Sequence, residues 1–144
     1  MENPTTSSRM STSRRMEYIE PMEIQPYQYY ITGMLDQKKY LILINTGEQE
    51  NYITRELVLE EEIITHEQTC SDLPRELRQT KEITNQELII GGISIKIQFT
   101  ISQINTNIIL GLTWLEQVKP YNIEDKQLII HYNNKKIIIS RIKV

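Results

Sequence analysis

From Leu88 to Ile101 the chain reads as two strands joined by a tight turn. Leu88-Ile89-Ile90 runs into Gly91-Gly92, and then Ile93, Ile95, Ile97, Phe99 and Ile101 alternate with Ser94, Lys96, Gln98 and Thr100. A period of two sets the apolar side chains of the second run on one face and the polar ones on the other. Paired glycines supply the positive φ angles of a short hairpin turn. One such hairpin cannot cover its own apolar face, so it requires further strands.

The remaining sequence supplies them. Tyr27 to Leu35 and Lys39 to Asn45 are β-prone runs separated by Asp36-Gln37-Lys38, which reads as a hairpin. Within the second run, Tyr40 to Ile44 is continuously apolar, as in a strand covered on both faces. Gln127 to Tyr132 and Lys136 to Ile139 flank Asn133-Asn134, residues that tolerate a left-handed turn. Ile137-Ile138-Ile139 does not alternate, which predicts burial on both sides. Short helices are expected over Arg55 to Glu61, capped by Thr54, and over Leu112 to Val118, stopped by Pro120. His66 to Thr80 is polar and contains Pro74, which predicts a loop with one helical turn near Ser71 or Asp72. Apolar residues make up 39% of the chain and isoleucine dominates them. That β-branched bias favours an all-β domain with one or two short helices.

The 144 residues fit one domain. Residues 1–24 are rich in Ser, Thr, Met and Arg without apolar periodicity. They are expected to be a disordered tail or a polyprotein linker, with residues 25–144 as the domain. Arg9, Arg14 and Arg15 are compatible with a small basic contact patch, but the composition favours a solvated tail or polyprotein linker. A net charge of -3 with mixed signs gives no basic face for nucleic acid. One cysteine, Cys70, and two histidines, His66 and His131, make no metal-ligand cluster, so neither metal nor cofactor is expected. No apolar run approaches the roughly 20 residues of a membrane span, and no leader peptide is visible. A soluble cytoplasmic protein is the resulting expectation. Glu60-Glu61-Glu62 reads as a solvated face, and Trp114 as a core anchor.

One stretch carries chemistry. The apolar run Leu41-Ile42-Leu43-Ile44 leads into Asn45-Thr46-Gly47. With Asp at position 45 this would be a hydrophobic-Asp-Thr-Gly segment, in which two aspartates share a proton and activate water on a peptide bond. A second apolar-to-glycine junction, Ile108-Ile109-Leu110-Gly111, follows some sixty residues later. On its own, Asn-Thr-Gly is a common turn after a strand.

Taken together, Leu43-Ile44-Asn45-Thr46-Gly47, Asn51-Tyr52-Ile53-Thr54 and Asn107-Ile108-Ile109-Leu110-Gly111-Leu112-Thr113-Trp114-Leu115 resemble a retropepsin-type aspartic protease domain. The likeness is to the proteases of plant pararetroviruses (caulimovirus-like) and of Ty3/Gypsy-type retroelements, and it covers about residues 27–139. It implies a closed-barrel acid-protease fold and a homodimer, each half giving one catalytic residue. It also implies an endopeptidase that processes its own polyprotein at extended peptide segments. Asn45 then stands at the position of the catalytic Asp. Thr46 would bond between subunits beneath the dyad, Gly47 would line the substrate cleft, and Gly111 would close the loop behind the site. Ile109, Leu110 and Trp114 complete the second motif.

Three departures stand out. Asn45 is neutral and cannot act as base or share a proton. Glu48 puts bulk and charge at a cleft position where the family has a small residue. The segment between Ile64 and Ile83 lacks the glycines of a hairpin flap, leaving Leu73 and Leu77 as expected substrate contacts. An inactivating substitution, a decayed element and a selected peptide-binding pseudoprotease all account for Asn45.

Overall fold

The computed structural model describes residues 28–67 and 80–143. The tail, the helical turn near Ser71, Cys70, Leu73 and Leu77 lie outside the described residues. Among the described residues there are ten strands and one short α-helix, so the all-β expectation holds. The strands are β1 (Tyr29–Leu35), β2 (Lys38–Ile44), β3 (Tyr52–Ile53), β4 (Ile64–Glu67) and β5 (Thr80–Ile90). They continue with β6 (Ile93–Ile101), β7 (Ile108–Leu110), β8 (Asn122–Ile123), β9 (Gln127–Tyr132) and β10 (Lys135–Ser140), while helix α1 spans Leu112–Gln117.

Six of these strands close into a barrel in the order β1-β2-β7-β3-β6-β5, the ring being completed by Met34 of β1 opposite Ile89 of β5. Most neighbours are antiparallel, but β2 runs parallel to β7 and β3 parallel to β6. β4 extends the sheet outside β5. A separate three-stranded sheet, ordered β10-β9-β8, lies over the barrel.

The alternation in β6 is realised as read: Ile95, Ile97 and Phe99 are buried while Ser94, Lys96 and Gln98 face out. They join Ile31, Ile42, Ile53, Leu88, Ile90, Ile108, Leu110 and Trp114 in one core, which also takes in Leu128, Ile130, Ile137 and Ile139 from the second sheet. Fully burying each such side chain contributes about 1.5–3 kcal/mol, so the core is the main stabilising term. The turns follow their residues. Gly91 and Gly92 have φ of 61° and 82°, and Asn133 and Asn134 have 51° and 62°. Asp36 and Gln37 also have positive φ, which makes the first hairpin turn two residues long, with Lys38 already in β2.

Four expectations are corrected. Arg55 to Glu61 is not one helix but two 3-10 turns, Arg55–Leu57 and Glu60–Glu62, because Val58 and Leu59 are extended between them. The Thr54 hydroxyl caps neither turn and instead donates to Glu56 at 2.6 Å. His66 begins no loop: it lies within β4, and β5 starts at Thr80, eight residues before its apolar end. Ile138 is 56% exposed, because the second sheet packs on the barrel with one face only and Ile137 and Ile139 take that face. The Glu60-Glu61-Glu62 run is also tied in at its end. Glu62 accepts hydrogen bonds from the Leu59 amide and from Gln86.

Candidate active site

β2 delivers the Asn45 turn. The strand ends at Ile44, and the Asn45 amide still donates to the Leu110 carbonyl of β7 at 3.0 Å, so the turn begins while the parallel ladder continues. The turn closes on itself twice: Glu48 N donates to Asn45 O at 3.2 Å, and Gly47 N donates to Asn45 Oδ1 at 2.9 Å. The second bond is an Asx-type turn, the side chain replacing a backbone acceptor. Asn45 is half-buried, while Thr46 and Gly47 are exposed at the surface of the single chain.

The second junction abuts the first. Glu48 O accepts Leu112 N at 2.9 Å, and Gln49 O accepts both the Thr113 amide (2.9 Å) and the Thr113 hydroxyl (2.6 Å). The descending turn is thus stitched to the start of α1 through main-chain carbonyls. Gly111 sits at the crossing. A Cβ there would lie 2.4 Å from Glu50 O and 2.6 Å from Glu48 O, closer than any side chain can approach. The glycine is required by close approach of two backbones. Ile109 and Leu110 form the strand leading to it, and Trp114 is fully buried in α1, a core residue as expected.

Asn51, quoted above within the resemblance but given no role there, locks the crossing. It is 2% exposed. Its Oδ1 accepts the buried Gly111 amide at 2.8 Å, its Nδ2 donates to Gln98 O at 3.1 Å, and its carbonyl accepts Thr100 N at 2.8 Å. One amide side chain therefore joins the glycine junction to β6. A polar residue just before an apolar strand was the only available signal.

Glu48 is half-buried and lies near the Tyr52 hydroxyl, whose pKa is raised by burial and by the nearby Glu48 and Glu50 charges. Beyond Tyr52 lies a polar cavity of about 450 Å³ lined by Glu50, Tyr52, Thr80, Lys81, Glu82, Thr100 and Ile101. Within it Lys81 pairs with Glu50 at 2.7 Å, and the Thr100 hydroxyl donates to the other Glu50 oxygen at 2.6 Å. These two hydrogen bonds hold the Glu50 carboxyl below the usual carboxylate range. Glu82 pairs with Arg55, which also reaches Glu60. The structure brings Asn45, Thr46, Gly47, Glu48 and Gly111 together.

Closed barrel, paired junctions and the glycine crossing together define the fold of retropepsin-like aspartic protease domains. The chain is similar to the retroviral protease-like domain of Ddi1 from Leishmania major, with a TM-score of 0.59 and 15% identity over 81% of this chain and 93% of that one. It is also similar to a retropepsin-like aspartic protease from Rickettsia conorii, with a TM-score of 0.53 and 16% identity over 79% and 87%. No family model matches the sequence, and no curated protein matches it. The likeness therefore lies in three-dimensional shape.

Proposed function

We propose that this chain is the aspartic protease-type domain of a reverse-transcribing element, of the plant pararetrovirus or Ty3/Gypsy kind, and that Asn45 leaves it without hydrolytic activity. In this reading the domain pairs with a second copy in the host cytoplasm and grips extended segments of its own polyprotein. The observation that carries the reading is the Asn45 turn itself. A strand end, an Asx-type bond to Gly47 and a glycine crossing with no room for a Cβ present one short polar side chain at a half-buried position. The described residues contain one such turn, so a carboxylate pair would need a second chain.

Asn supports the geometry and removes the chemistry. Its Oδ1 accepts the Gly47 amide as a carboxylate oxygen would, yet it has no ionisable proton and cannot take one from water. Asn45→Asp restores a group that can. In a paired site one Asp takes the proton of the attacking water while the other, protonated, donates to the peptide carbonyl oxygen. The variant is expected to cleave extended, partly apolar peptides in mild acid and to be blocked by a statin-type transition-state analogue. A folded, dimeric Asn45→Asp protein that cleaves nothing in a broad peptide library refutes the reading. A second function, a non-catalytic peptide clamp, is favoured by the turn keeping its shape with Asn in place. It predicts peptide binding by the chain as it stands.

A further inference from the structure

The segment that continues the Asn45 turn runs into the polar cavity. Glu50 and Tyr52 line it together with Lys81 and Glu82 of β5 and Thr100 and Ile101 of β6. Its volume of about 450 Å³ falls within the ~300–1,000 Å³ of sites that enclose a ligand, ample for one long side chain. Lys81 and Glu50 satisfy each other at 2.7 Å, and the Thr100 hydroxyl takes the second Glu50 oxygen. Glu82 is placed differently. Arg55, outside the cavity, bonds its Oε1 and is shared with Glu60, while Glu82 Oε2 receives no bond from any described residue. Glu48, near the Tyr52 hydroxyl, pairs with no described cation. Glu48, Glu50, Glu60 and Glu82 thus have only Arg55 and Lys81 to balance them among these residues.

Tyr52 stands in the cavity wall and senses the sign of this imbalance. Burial raises its pKa, the Glu48 and Glu50 charges raise it further, and the lowering by Lys81 is smaller than either. An anion entering the cavity therefore meets like charge. A cation does not, and it finds an aromatic face in Tyr52 and apolar carbon in Ile101 for its stem. The chain makes the same kind of contact elsewhere, with the Arg141 guanidinium 4.7 Å from the centre of the Tyr29 ring. We propose that the cavity is a specificity pocket for one arginine or lysine side chain of a bound peptide, selected by Glu82 and Glu48 against the Tyr52 ring, which rests on the peptide-binding reading above. Lys81 works against such a ligand, because it neutralises Glu50 and repels a second cation. The selection lies in the side chains around the cavity and does not depend on whether position 45 is Asn or Asp.

The test uses the full chain and fluorescently labelled, C-terminally amidated octapeptide pools with apolar residues at alternate positions. Each pool carries arginine, norleucine or glutamate at one of the remaining positions, taken in turn, and binding is read by fluorescence polarisation. At the best position the arginine pool is expected to bind about fivefold or more tightly than the norleucine pool, with the glutamate pool weakest. That preference should shrink as salt is raised, as for any partly exposed charge contact. Glu82→Gln should reduce the arginine preference, and Lys81→Gln should increase it. Effects of opposite sign separate charge selection from a general loss of structure, which would weaken binding in both variants. Glu48→Gln breaks no ion pair among the described residues and should act like Glu82→Gln, so it replaces that variant if Glu82→Gln does not fold. Equal binding of the arginine and norleucine pools, or a loss of preference in Lys81→Gln, overturns the pocket while leaving peptide binding intact. If no pool binds, the peptide-binding reading fails, and N-acetyl-arginine-N-methylamide titrated against the Tyr52 ring proton resonances decides the pocket alone. A shift that the norleucine analogue does not give, and that Glu82→Gln or Glu48→Gln removes, supports it. The absence of such a shift refutes it.

Discussion

Replacing Asn51 by Ala should destabilise the whole domain although position 51 carries no charge and little surface. The side chain makes two hydrogen bonds, from Gly111 N at 2.8 Å and to Gln98 O at 3.1 Å, and it is 2% exposed. Truncation leaves the Gly111 amide buried without an acceptor, which costs about 1–3 kcal/mol. The Gln98 carbonyl is partly reachable by water and adds about 0.5–1.5 kcal/mol for the lost bond. The sum is about 1.5–4.5 kcal/mol, a large share of the ~5–15 kcal/mol that stabilises an ordinary domain. At roughly 4 °C per kcal/mol for a chain of this size, the thermal midpoint should fall by about 6–18 °C. Urea titration followed by tryptophan fluorescence reads the stability loss well, because Trp114 lies in the helix that begins just beyond Gly111. Asn51→Asp is the control. It keeps an acceptor for Gly111 but sets a carboxylate against the Gln98 carbonyl, and should also lose stability at neutral pH. A loss below about 0.5 kcal/mol for Asn51→Ala would refute the view that this amide holds the crossing.

Gly111→Ala forces a Cβ against two carbonyl oxygens, and the backbones must separate. The expected result is a loss of more than about 3 kcal/mol or failure to fold, read by thermal melting, whereas Gly47→Ala, exposed and facing only Asn45 Oδ1 at 3.2 Å, should cost far less. Glu50 has a folded pKa below its ordinary value of about 4.3, so its bonds to Lys81 and Thr100 stabilise the domain above that pH. The contribution disappears as pH falls through the lower folded value. Glu50→Gln should therefore lower the midpoint at pH 6 and narrow its gap to the parent as pH drops towards 2.5, a trend measurable by melting across that range. A gap independent of pH would contradict the assignment.

Much of the barrel was legible because its strands obey simple patterns. Ile93 to Ile101 alternates cleanly, and the Gly91-Gly92 and Asn133-Asn134 turns hold the backbone conformations their residues favour. The first half of β5 was not legible. Its inward face begins with Thr84 and Gln86, which are buried polar residues satisfied by one another and by Glu62, so the segment mimics a loop in sequence. Ile138 misled in the other direction. Three isoleucines in a row look two-sided, yet a cover sheet needs only one apolar face. Around the turn, the two strand-to-glycine junctions and the resemblance singled out Asn45, Gly47 and Gly111, and the structure sets them side by side. The Asn51 bond to Gly111 and the Glu50 contacts with Lys81 and Thr100 join residues 60, 31 and 50 positions apart, and no local pattern announces them.

The bonds between the two junctions have a consequence for how such a protein changes over time. Asn45 N to Leu110 O, Leu112 N to Glu48 O and Thr113 N to Gln49 O are all main-chain contacts, blind to the side chain at position 45. Shape and reactivity are therefore inherited separately in this turn. The side chain at position 45 can therefore change without disturbing the main-chain bonds that hold the turn against the start of α1.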